Sequence, residues 1–530
     1  MCTKSYLIFV LCTVFLCVTD ISGYKILGVF PFYAPSHYFL GNELLKGLAE
    51  AGHDVTMISV YEDKNLPKNG KYNQIIMDDI ILKQKEMFAK VGNLTTLASD
   101  PSFFSNPFKF ITMFPDLCYF VTEQALNSTK MQQLIKSNQI FDVIIIPQFN
   151  LEALKGLASH FKAHLVMLNN NAMNTWMGHF VGNPTLPSIN SELILGYTEQ
   201  MNFQQRLINT ILKVLSQLVN HIYDYPRYNE LIHKYISEKI DLTENQYNIA
   251  LVLSNSHTSL NQAEGSVPVI KEIAGFHVKP PKKLPEDLQK YLDEAKDGVI
   301  YFSMGSNLKG SDLPVKMRKS LMDAFSKRKE KILWKFEIDD MPGKPTNVRI
   351  EKWLPQSDIL AHPNIKLFIT HGGFLSSIET VYHGIPIVAI PVLGDQLKNA
   401  KIAEAAGYAY LIELNQITEK SVSAAIEEVL TNKKYLENVK YRSKLFHDRQ
   451  VKPLDDAIYW VEYIVRHNGA KNLRVNYLNL TWYEYLLVDV IATILAVIFV
   501  SLYIVKKIVC GLLGLCIGKG DKEAEKLKKQ

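Results

Sequence analysis

Cysteine and charge are both scarce in this chain of 530 residues, and each scarcity narrows the class of protein. Only six cysteines are present, and Cys118 is the single one between the two apolar ends. A disulfide needs two cysteines, so a small extracellular module stapled by disulfides is excluded. Charged residues make up 21% and hydrophobic residues 47% of the chain, which excludes a disordered protein. The body must be large and stabilised by its hydrophobic core.

Net positive charge is also small outside the C-terminal tail. The formal net charge is +5, but the residues from Lys506 onward carry seven lysines against three acidic residues. The body is therefore close to neutral. Nucleic-acid-binding proteins present a basic surface, so we expect no nucleic-acid partner.

Long apolar runs occur only near the two ends. Lys4 precedes an apolar run at residues 6–18, and small residues follow at Ser22 and Gly23. This order predicts a secretory signal peptide over residues 1–23. The second run, residues 485–505, is long enough to cross a lipid bilayer once as a helix.

The tail at residues 506–530 indicates orientation and compartment. Its lysines favour a cytoplasmic tail, so the bulk of the chain is expected to be luminal in a single-pass type I protein. Lys526 and Lys528 stand five and three places from the terminus, the spacing of dilysine signals read by the retrograde transport coat. We expect retention in the endoplasmic reticulum; a merely solvated charged tail is the alternative.

Three Asn-X-Ser/Thr sequons lie in the expected luminal part and predict a glycoprotein. They begin at Asn93, Asn127 and Asn479. Asn479 stands so near the membrane run that we expect it to be used poorly.

Strand and helix patterns alternate through the body and predict an α/β protein of two halves. Residues 25–30, 39–51 and 54–60 form a strand–helix–strand unit, which favours a parallel sheet with right-handed crossovers. A proline-rich linker follows, and the alternation then restarts. The predicted boundaries are 24–265 for the first half, 266–287 for the linker, 288–445 for the second half and 446–484 for a return helix with the juxtamembrane segment.

The most informative stretch is residues 353–396. A strand, IKLFIT, runs directly into His371, Gly372 and Gly373 and then into a helix. Unpaired backbone N–H groups at a helix start, beside residues with no Cβ, suit an anion such as a diphosphate.

Four further polar or aromatic residues of the same stretch suit a nucleotide. Ser376, in the first helical turn, can donate a hydroxyl, and Glu379 can accept hydrogen bonds from ribose. Trp353 offers a platform for a base, and Gln356 can bind its edge or the ribose. The joint spacing is more specific than the glycine pair alone, which also fits a plain turn.

This stretch resembles the signature of the UDP-glucuronosyltransferase and UDP-glucosyltransferase family, and the layout of the whole chain resembles its endoplasmic reticulum members. The segments GNPTLPSI and NFQQRLIN resemble insect members. The resemblance implies a GT-B fold with two Rossmann-like domains facing a cleft. It also implies inverting sugar transfer, without a catalytic metal or other cofactor, from a UDP-sugar to a small hydrophobic acceptor. The matching positions are Thr370, His371, Gly373, Glu379, Gly384, Pro386, Pro391, Asp395 and Gln396.

The resemblance also assigns roles to residues. Trp353 and Gln356 would hold uridine and Glu379 the ribose. The diphosphate would lie against the turn that includes Gly373, and the sugar hydroxyls against Asp395 and Gln396. Leu375 stands where many members have asparagine, so one side-chain hydrogen bond is missing. The expected diphosphate side chains are Ser306, His371 and Ser376.

The family's general base corresponds to His37, which follows the first strand. Acceptor hydroxyls must lose a proton as they attack, and neutral imidazole suits that task. An aspartate that orients this histidine in relatives is replaced here by Pro147. Glu152 is the nearest substitute; otherwise another carboxylate serves, or His37 acts alone on acidic phenols, or the protein is impaired.

Other classes of function fit less well. A dinucleotide oxidoreductase predicts GxGxxG after the first strand, where GVFPFYAPSH stands, and a serine hydrolase predicts a GxSxG elbow that is absent. A catalytically silent UDP-sugar-binding homologue remains a rival. We expect a detoxifying enzyme that transfers glucose to phenol-like acceptors, with glucuronic acid as the alternative sugar. A homo-oligomer is left open.

Overall fold

The computed structural model describes residues 23–91, 107–173 and 175–527. They form two compact units, one ending at Arg474 and one beginning at Val475. The predicted signal peptide, apart from Gly23, and the residues Asn93 and Lys528 lie outside the described residues, as does the side chain of Lys526.

The N-terminal half of the first unit is built on seven parallel strands in the order β3-β2-β1-β4-β5-β6-β7. The central strands are almost wholly apolar because helices cover both faces of the sheet. The strands are β1 Lys25–Phe30, β2 Asp54–Ser59, β3 Lys71–Ile76, β4 Val143–Pro147, β5 His164–Asn169, β6 Ile249–Ser254 and β7 Ile270–Glu272.

The C-terminal half repeats this plan with six parallel strands in the order β10-β9-β8-β11-β12-β13. In both halves the order reverses beside the first strand, between β1 and β4 and between β8 and β11. Ligands of open α/β sheets bind outside the carboxyl ends at such a reversal. The strands are β8 Val299–Ser303, β9 Lys331–Lys335, β10 Val348–Glu351, β11 Ile365–Thr370, β12 Ile387–Ala389 and β13 Ala409–Leu411.

Helices connect the strands and cover the sheets. Those of the N-terminal half are α1 Pro35–Glu50, α2 Asp78–Val91, α3 Pro107–Asn127, α4 Thr129–Ile135, α5 Lys155–Phe161, α6 Thr175–Val181, α7 Phe203–Val219, α8 Tyr225–Tyr235 and α9 Leu242–Asn245. The later helices of this unit are α10 Glu286–Asp293, α11 Val315–Ser326, α12 Gln356–Leu360, α13 Phe374–His383, α14 Gln396–Ala405, α15 Glu419–Thr431, α16 Lys433–His447 and α17 Pro453–Arg466.

The first helix begins earlier than the sequence pattern predicts. The apolar period starts at Phe39, but α1 begins at Pro35, because proline has the backbone geometry of a first helical residue and loses no hydrogen bond there. His37 therefore lies in the first turn of α1 rather than in the loop between β1 and the helix.

The C-terminal helix α17 returns to the N-terminal half, where it packs against α1, β5 and β6. A Cβ on Gly47 of α1 would lie 2.7 Å from a methyl carbon of Leu454, so a larger residue here would force the Leu454 side chain to shift. Oε1 of Glu462 on α17 lies 3.3 Å from Nε2 of buried His53, beside β2. Between the halves, Arg442 Nη1 donates to the carbonyl of Ser259 at 2.7 Å.

The second unit contains α18 Trp482–Tyr485 and α19 Val488–Leu527. Leu487 has a φ of 54°, and α19 starts directly after it rather than at residue 485. Residues 488–514 are long and apolar enough to cross a membrane, which fits a single-pass membrane protein. The helix continues through the second apolar run into the tail.

The C-terminal half has an aromatic core that can be tested. Phe325 of α11 is fully buried, with its ring centroid 5.7 Å from that of Trp334. We expect Phe325→Ala to lower the free energy of unfolding by about 3 to 5 kcal/mol through lost burial and an unfilled cavity. Val315→Ala, on the same helix but 72% exposed, should change it by less than about 0.5 kcal/mol. Denaturant unfolding of the detergent-solubilised protein measures both, and equal losses would contradict this account of the core.

Candidate active site

The predicted donor residues lie in the loops and helices that follow the carboxyl ends of the C-terminal strands. Ser306 follows β8, Trp353 follows β10 and His371 follows β11, while Asp395 and Gln396 follow β12 at the start of α14. All strands of this sheet run parallel, so these loops share one edge.

The imidazole of His371 is held between two glycines. A Cβ on Gly305 would lie 2.5 Å from Cε1 of this ring, and a Cβ on Gly373 would lie 2.4 Å from its Nε2. Real Cβ atoms do not approach so closely, so both positions must lack one. The turns after β8 and β11 are thereby brought together around one ring.

The N-terminus of α13 adds positive potential beside this ring. Its N-cap is Gly373, which provides no side-chain cap, so backbone N–H groups at the helix start remain for a ligand. Lys335, at the end of β9, donates from Nζ to the carbonyl of Gly305 at 3.0 Å. Burial, and then the charge of Lys335, lower the pKa of His371 to about 4. The ring is therefore neutral at physiological pH.

Three predicted nucleotide residues form one hydrogen-bonded group. Gln356 Nε2 donates to Ser376 Oγ at 3.0 Å and to Glu379 Oε2 at 2.5 Å. Tyr301 donates its hydroxyl to Gln356 Oε1 at 3.3 Å. Burial raises the pKa of Glu379 to about 7, against the opposing effect of the Gln356 hydrogen bond and with a smaller rise from Asp358.

Trp353 is well exposed, with 71% of its surface accessible. The Nζ atom of Lys335 lies 5.8 Å from the centroid of its indole ring. An exposed aromatic face next to a positively charged turn can stack a nucleotide base while the charge faces its phosphates.

The two predicted sugar-binding residues differ in which of their polar atoms remain available to a ligand. Gln396 accepts through Oε1 from the backbone N–H groups of Val392 and Leu393, at 2.9 and 3.1 Å, so only its amino group remains to donate. Asp395 accepts from Asn399 Nδ2 at 2.8 Å. Asn399 also donates to the carbonyl of Gly372 at 3.1 Å and so joins this loop to the His371 turn.

His37 lies in the N-terminal half among aromatic rings. Its ring centroid is 4.3 Å from that of Phe149 and 5.5 Å from that of Phe32. Phe149 also contacts Phe114, and Phe32 contacts Phe88. Burial lowers the pKa of His37 to about 4, which leaves a neutral imidazole in apolar surroundings.

The predicted partnership between His37 and Glu152 was wrong. Glu152 is buried at the start of a short 3₁₀ turn, where it forms an ion pair with Lys155 three residues later. This spacing places both charges on the same face of the turn, and the Nζ of Lys155 lies 3.4 Å from the centroid of the Phe180 ring. The side chain that meets His37 is Asn170, whose Nδ2 lies 2.5 Å from the imidazole Nδ1.

Sequence reasoning missed Lys335, Asn399 and Asn170. The first and last of these stand at or just after the carboxyl end of an apolar parallel strand, which is the signal that could have found them. Asn399 carries no such signal, since it lies on the second turn of α14 and matters only through the two loops that it joins. Leu375, the departure from the family pattern, packs against the core of the C-terminal half.

Two of the three expected glycosylation sites lie within the residues that the structure describes. Asn127 is exposed at the last residue of α3, and Asn479 is exposed at the end of a 3₁₀ turn. Cys118 is buried within α3 and is free.

The chain has two parallel Rossmann-type sheets, and the predicted site residues lie beyond the carboxyl ends of their strands. This is the arrangement of a glycosyltransferase of the GT-B class. Solved structures support the fold: a UDP-glucosyltransferase from Polygonum tinctorium matches with a TM-score of 0.56 at 14% identity, over 84% of this chain and 99% of its own. CalG4, the calicheamicin glycosyltransferase, matches with a TM-score of 0.54 at 16% identity, over the same shares. The expected fold class is confirmed.

The model of the family "UDP-glucoronosyl and UDP-glucosyl transferase" matches residues 25–523, and the chain belongs to this family. UDP-glycosyltransferase UGT5 from Dactylopius coccus is 36% identical over 90% of each chain. UDP-glucosyltransferase 2 from the same insect is 34% identical over 96% of each chain. UDP-glucuronosyltransferase 2B13 from Oryctolagus cuniculus is 29% identical over 92% of this chain and 93% of its own. The protein is thus a UDP-sugar-dependent glycosyltransferase of small acceptors.

The raised pKa of Glu379 has a measurable consequence for stability. The folded protein keeps a proton on this carboxyl up to about pH 7, whereas the unfolded chain loses it near 4.5. Between these two pKa values the folded protein therefore binds more protons than the unfolded chain. As the pH rises through this range, the contribution of the carboxyl to the free energy of unfolding falls by at most about 3 kcal/mol.

Glu379→Gln should remove this dependence. The free energy of unfolding of wild type minus that of Glu379→Gln is expected to fall from pH 4.5 to 7 and then to level off. Denaturant unfolding at several pH values measures it, with Glu50→Gln at the exposed end of α1 as the control. A constant difference across this range would contradict the assigned titration.

Proposed function

We propose that the protein transfers glucose from UDP-glucose to the hydroxyl of a small aromatic acceptor such as a phenol, with His37 as the general base. The observation that carries the proposal is the position of His37, which lies at the carboxyl side of the first strand among phenylalanine rings. Phe32 is buried, whereas Phe88, Phe114 and Phe149 are partly exposed and give a flat apolar acceptor its contact surface.

The proposed reaction is a single displacement. The acceptor oxygen attacks the anomeric carbon from the face opposite UDP and passes its proton to Nε2 of His37. As the new carbon–oxygen bond forms, the bond to the diphosphate breaks and UDP leaves with the electron pair. Inversion at the anomeric carbon gives a β-glucoside. A neutral but weakly basic imidazole favours hydroxyls that are already acidic, which is the property of phenols.

We assign the donor to the loops of the C-terminal half. The base stacks on Trp353 while the ribose hydroxyls bind Glu379 next to Gln356. The diphosphate lies against the N-terminus of α13, where His371, Ser376 and Ser306 provide side-chain contacts and Lys335 provides charge. The sugar hydroxyls bind Asp395 and the free amino group of Gln396. The donor is a substrate, and the proposal needs no further cofactor.

Glucose is favoured over glucuronic acid because the insect relatives are more similar to this chain than the mammalian glucuronosyltransferases are, and one of them is named a glucosyltransferase. We also propose that the first unit lies in the lumen of the endoplasmic reticulum, held by α19 and retrieved by the coat through Lys526 and Lys528. The exposed side chain of Asn127 supports glycosylation there.

The base assignment is tested by the donor and acceptor preference of microsomes that carry wild type or His37→Ala. We expect wild type to glucosylate a phenol panel from UDP-glucose far better than from UDP-glucuronate or UDP-galactose. His37→Ala should turn over about 10²- to 10⁴-fold more slowly with UDP affinity unchanged, because only proton removal is lost. Unchanged conjugation by His37→Ala would remove the base. UDP binding without any conjugate from wild type would instead favour the silent homologue.

The diphosphate assignment is tested by two glycine variants. Gly305 and Gly343 both have φ near +80°, so alanine introduces similar backbone strain at each. An added Cβ meets the His371 ring at position 305 but meets nothing within 4 Å at position 343. We expect Gly305→Ala to weaken UDP binding about tenfold or more and Gly343→Ala to leave it within about twofold, as measured by titration calorimetry. Equal affinities for UDP would contradict the assigned phosphate turn.

A further inference from the structure

The position at which the family resemblance predicts an orienting carboxylate is Pro147, the last residue of β4. The side chain of proline can neither accept nor donate a hydrogen bond. On the adjacent strand, Leu168 pairs with Pro147, and Asn170 stands two residues further on. Its side chain reaches Nδ1 of His37.

The tautomer of His37 determines whether it can act as a base. Nε2 can accept a proton only if it carries none, and the hydrogen of the neutral ring then lies on Nδ1. That hydrogen needs an acceptor. The Oδ1 atom of Asn170 is buried and has no hydrogen-bond partner, and it belongs to the amide that already meets Nδ1.

Rotation of this amide by 180° exchanges its oxygen and nitrogen, which have nearly the same shape. With Nδ2 toward the ring, the amide donates to Nδ1 and holds the hydrogen on Nε2, so the base is blocked. With Oδ1 toward the ring, it accepts from Nδ1 and leaves Nε2 free. Only the second arrangement gives the orphaned oxygen a partner, and it places the amino group in the position that the oxygen occupied.

We propose that Asn170 is the positioning residue of His37 and accepts the Nδ1 hydrogen through Oδ1 in place of the carboxylate that Pro147 has displaced. The proposal rests on the proposed role of His37. The backbone of Asn170 is fixed by the neighbouring strand, because Asn255 donates from Nδ2 to its carbonyl at 3.3 Å and from its backbone N–H to the carbonyl of Asn169 at 2.9 Å. The amide is therefore held at the ring by the sheet itself.

Asparagine and aspartate differ in what they do after proton transfer. A carboxylate stabilises the imidazolium that forms, whereas a neutral amide only holds the ring and selects its tautomer. Among the described residues, the groups packed against His37 are the rings of Phe32 and Phe149 and the amide of Asn170, and none carries a charge. The base is therefore oriented but not strengthened.

Replacing the amide separates these two effects. Asn170→Leu removes the acceptor, so we expect kcat to fall by at least about tenfold while UDP affinity stays unchanged. Asn170→Asp restores a carboxylate and should keep or raise kcat at neutral pH. It should also move the acid limb of kcat/KM upward by at least about one pH unit, because a negative neighbour raises the pKa of His37 from about 4.

The experiment measures kcat, kcat/KM against pH and UDP affinity for the full-length protein in microsomes, with a phenol acceptor. Asn171→Leu and Asn171→Asp are the matched controls, since this neighbouring side chain makes no described contact with His37. The controls should behave as wild type. If Asn170→Leu does not fold, the pH profile of Asn170→Asp alone decides the question.

The outcomes distinguish the two proposals. If His37→Ala is inactive while Asn170→Leu keeps the kcat and pH profile of wild type, the positioning role is overturned and the base survives. The positioning role is likewise overturned if Asn170→Asp has the low kcat of Asn170→Leu and the acid limb of its kcat/KM profile does not move. Asn170 would then have only a structural role. If His37→Ala retains full activity, the base itself is lost, and the role of Asn170 with it.

Discussion

Two pairs of adjacent parallel strands, β1 with β4 and β8 with β11, are the constraint on which the site depends. At each pair the chain leaves the sheet toward opposite sides, so no connection crosses the carboxyl ends and a crevice stays open there. His37 and Phe149 follow β1 and β4, while Gly305 and His371 follow β8 and β11. Each half thus places its chemical groups at the same topological point, and in the proposed function the first half serves the acceptor and the second the donor.

Burial determines the charge of these groups more than their neighbours do. It lowers the pKa of both His37 and His371 to about 4, and it raises that of Glu379 to about 7. The positive potential at the proposed diphosphate site therefore comes from the unpaired N–H groups of α13 rather than from an imidazolium. Lys335 adds to it in part, because its Nζ also pairs with Glu337 Oε1 at 2.9 Å. At His37 the same desolvation keeps the imidazole neutral, which is the form that a base requires.

Much of this arrangement could be predicted because it is encoded locally. Apolar runs of five or six residues identify the buried strands, and the grouping of Gln356, Ser376 and Glu379 follows from their positions at one sheet edge. The predictions that failed concern contacts between residues distant in sequence, or side chains for which several hydrogen-bond or ion-pair partners compete. Nothing in the local pattern shows that Lys155 takes Glu152, that the carbonyl of Gln396 is occupied by its own loop, or that Asn170 meets a ring 133 residues earlier.

On the proposed roles of His37 and Asn170, orientation of the base by an amide rather than by a carboxylate has a consequence for specificity. A base strengthened by a carboxylate can deprotonate weakly acidic alcohols, whereas a base that is only oriented depends on the acidity of the acceptor itself. The aromatic rings around His37 select flat apolar molecules, and phenols are the members of that class with an acidic hydroxyl. On the proposed role of His37, the weak base and the aromatic surface therefore select the same acceptors, and neither selection requires a polar side chain that recognises one particular molecule.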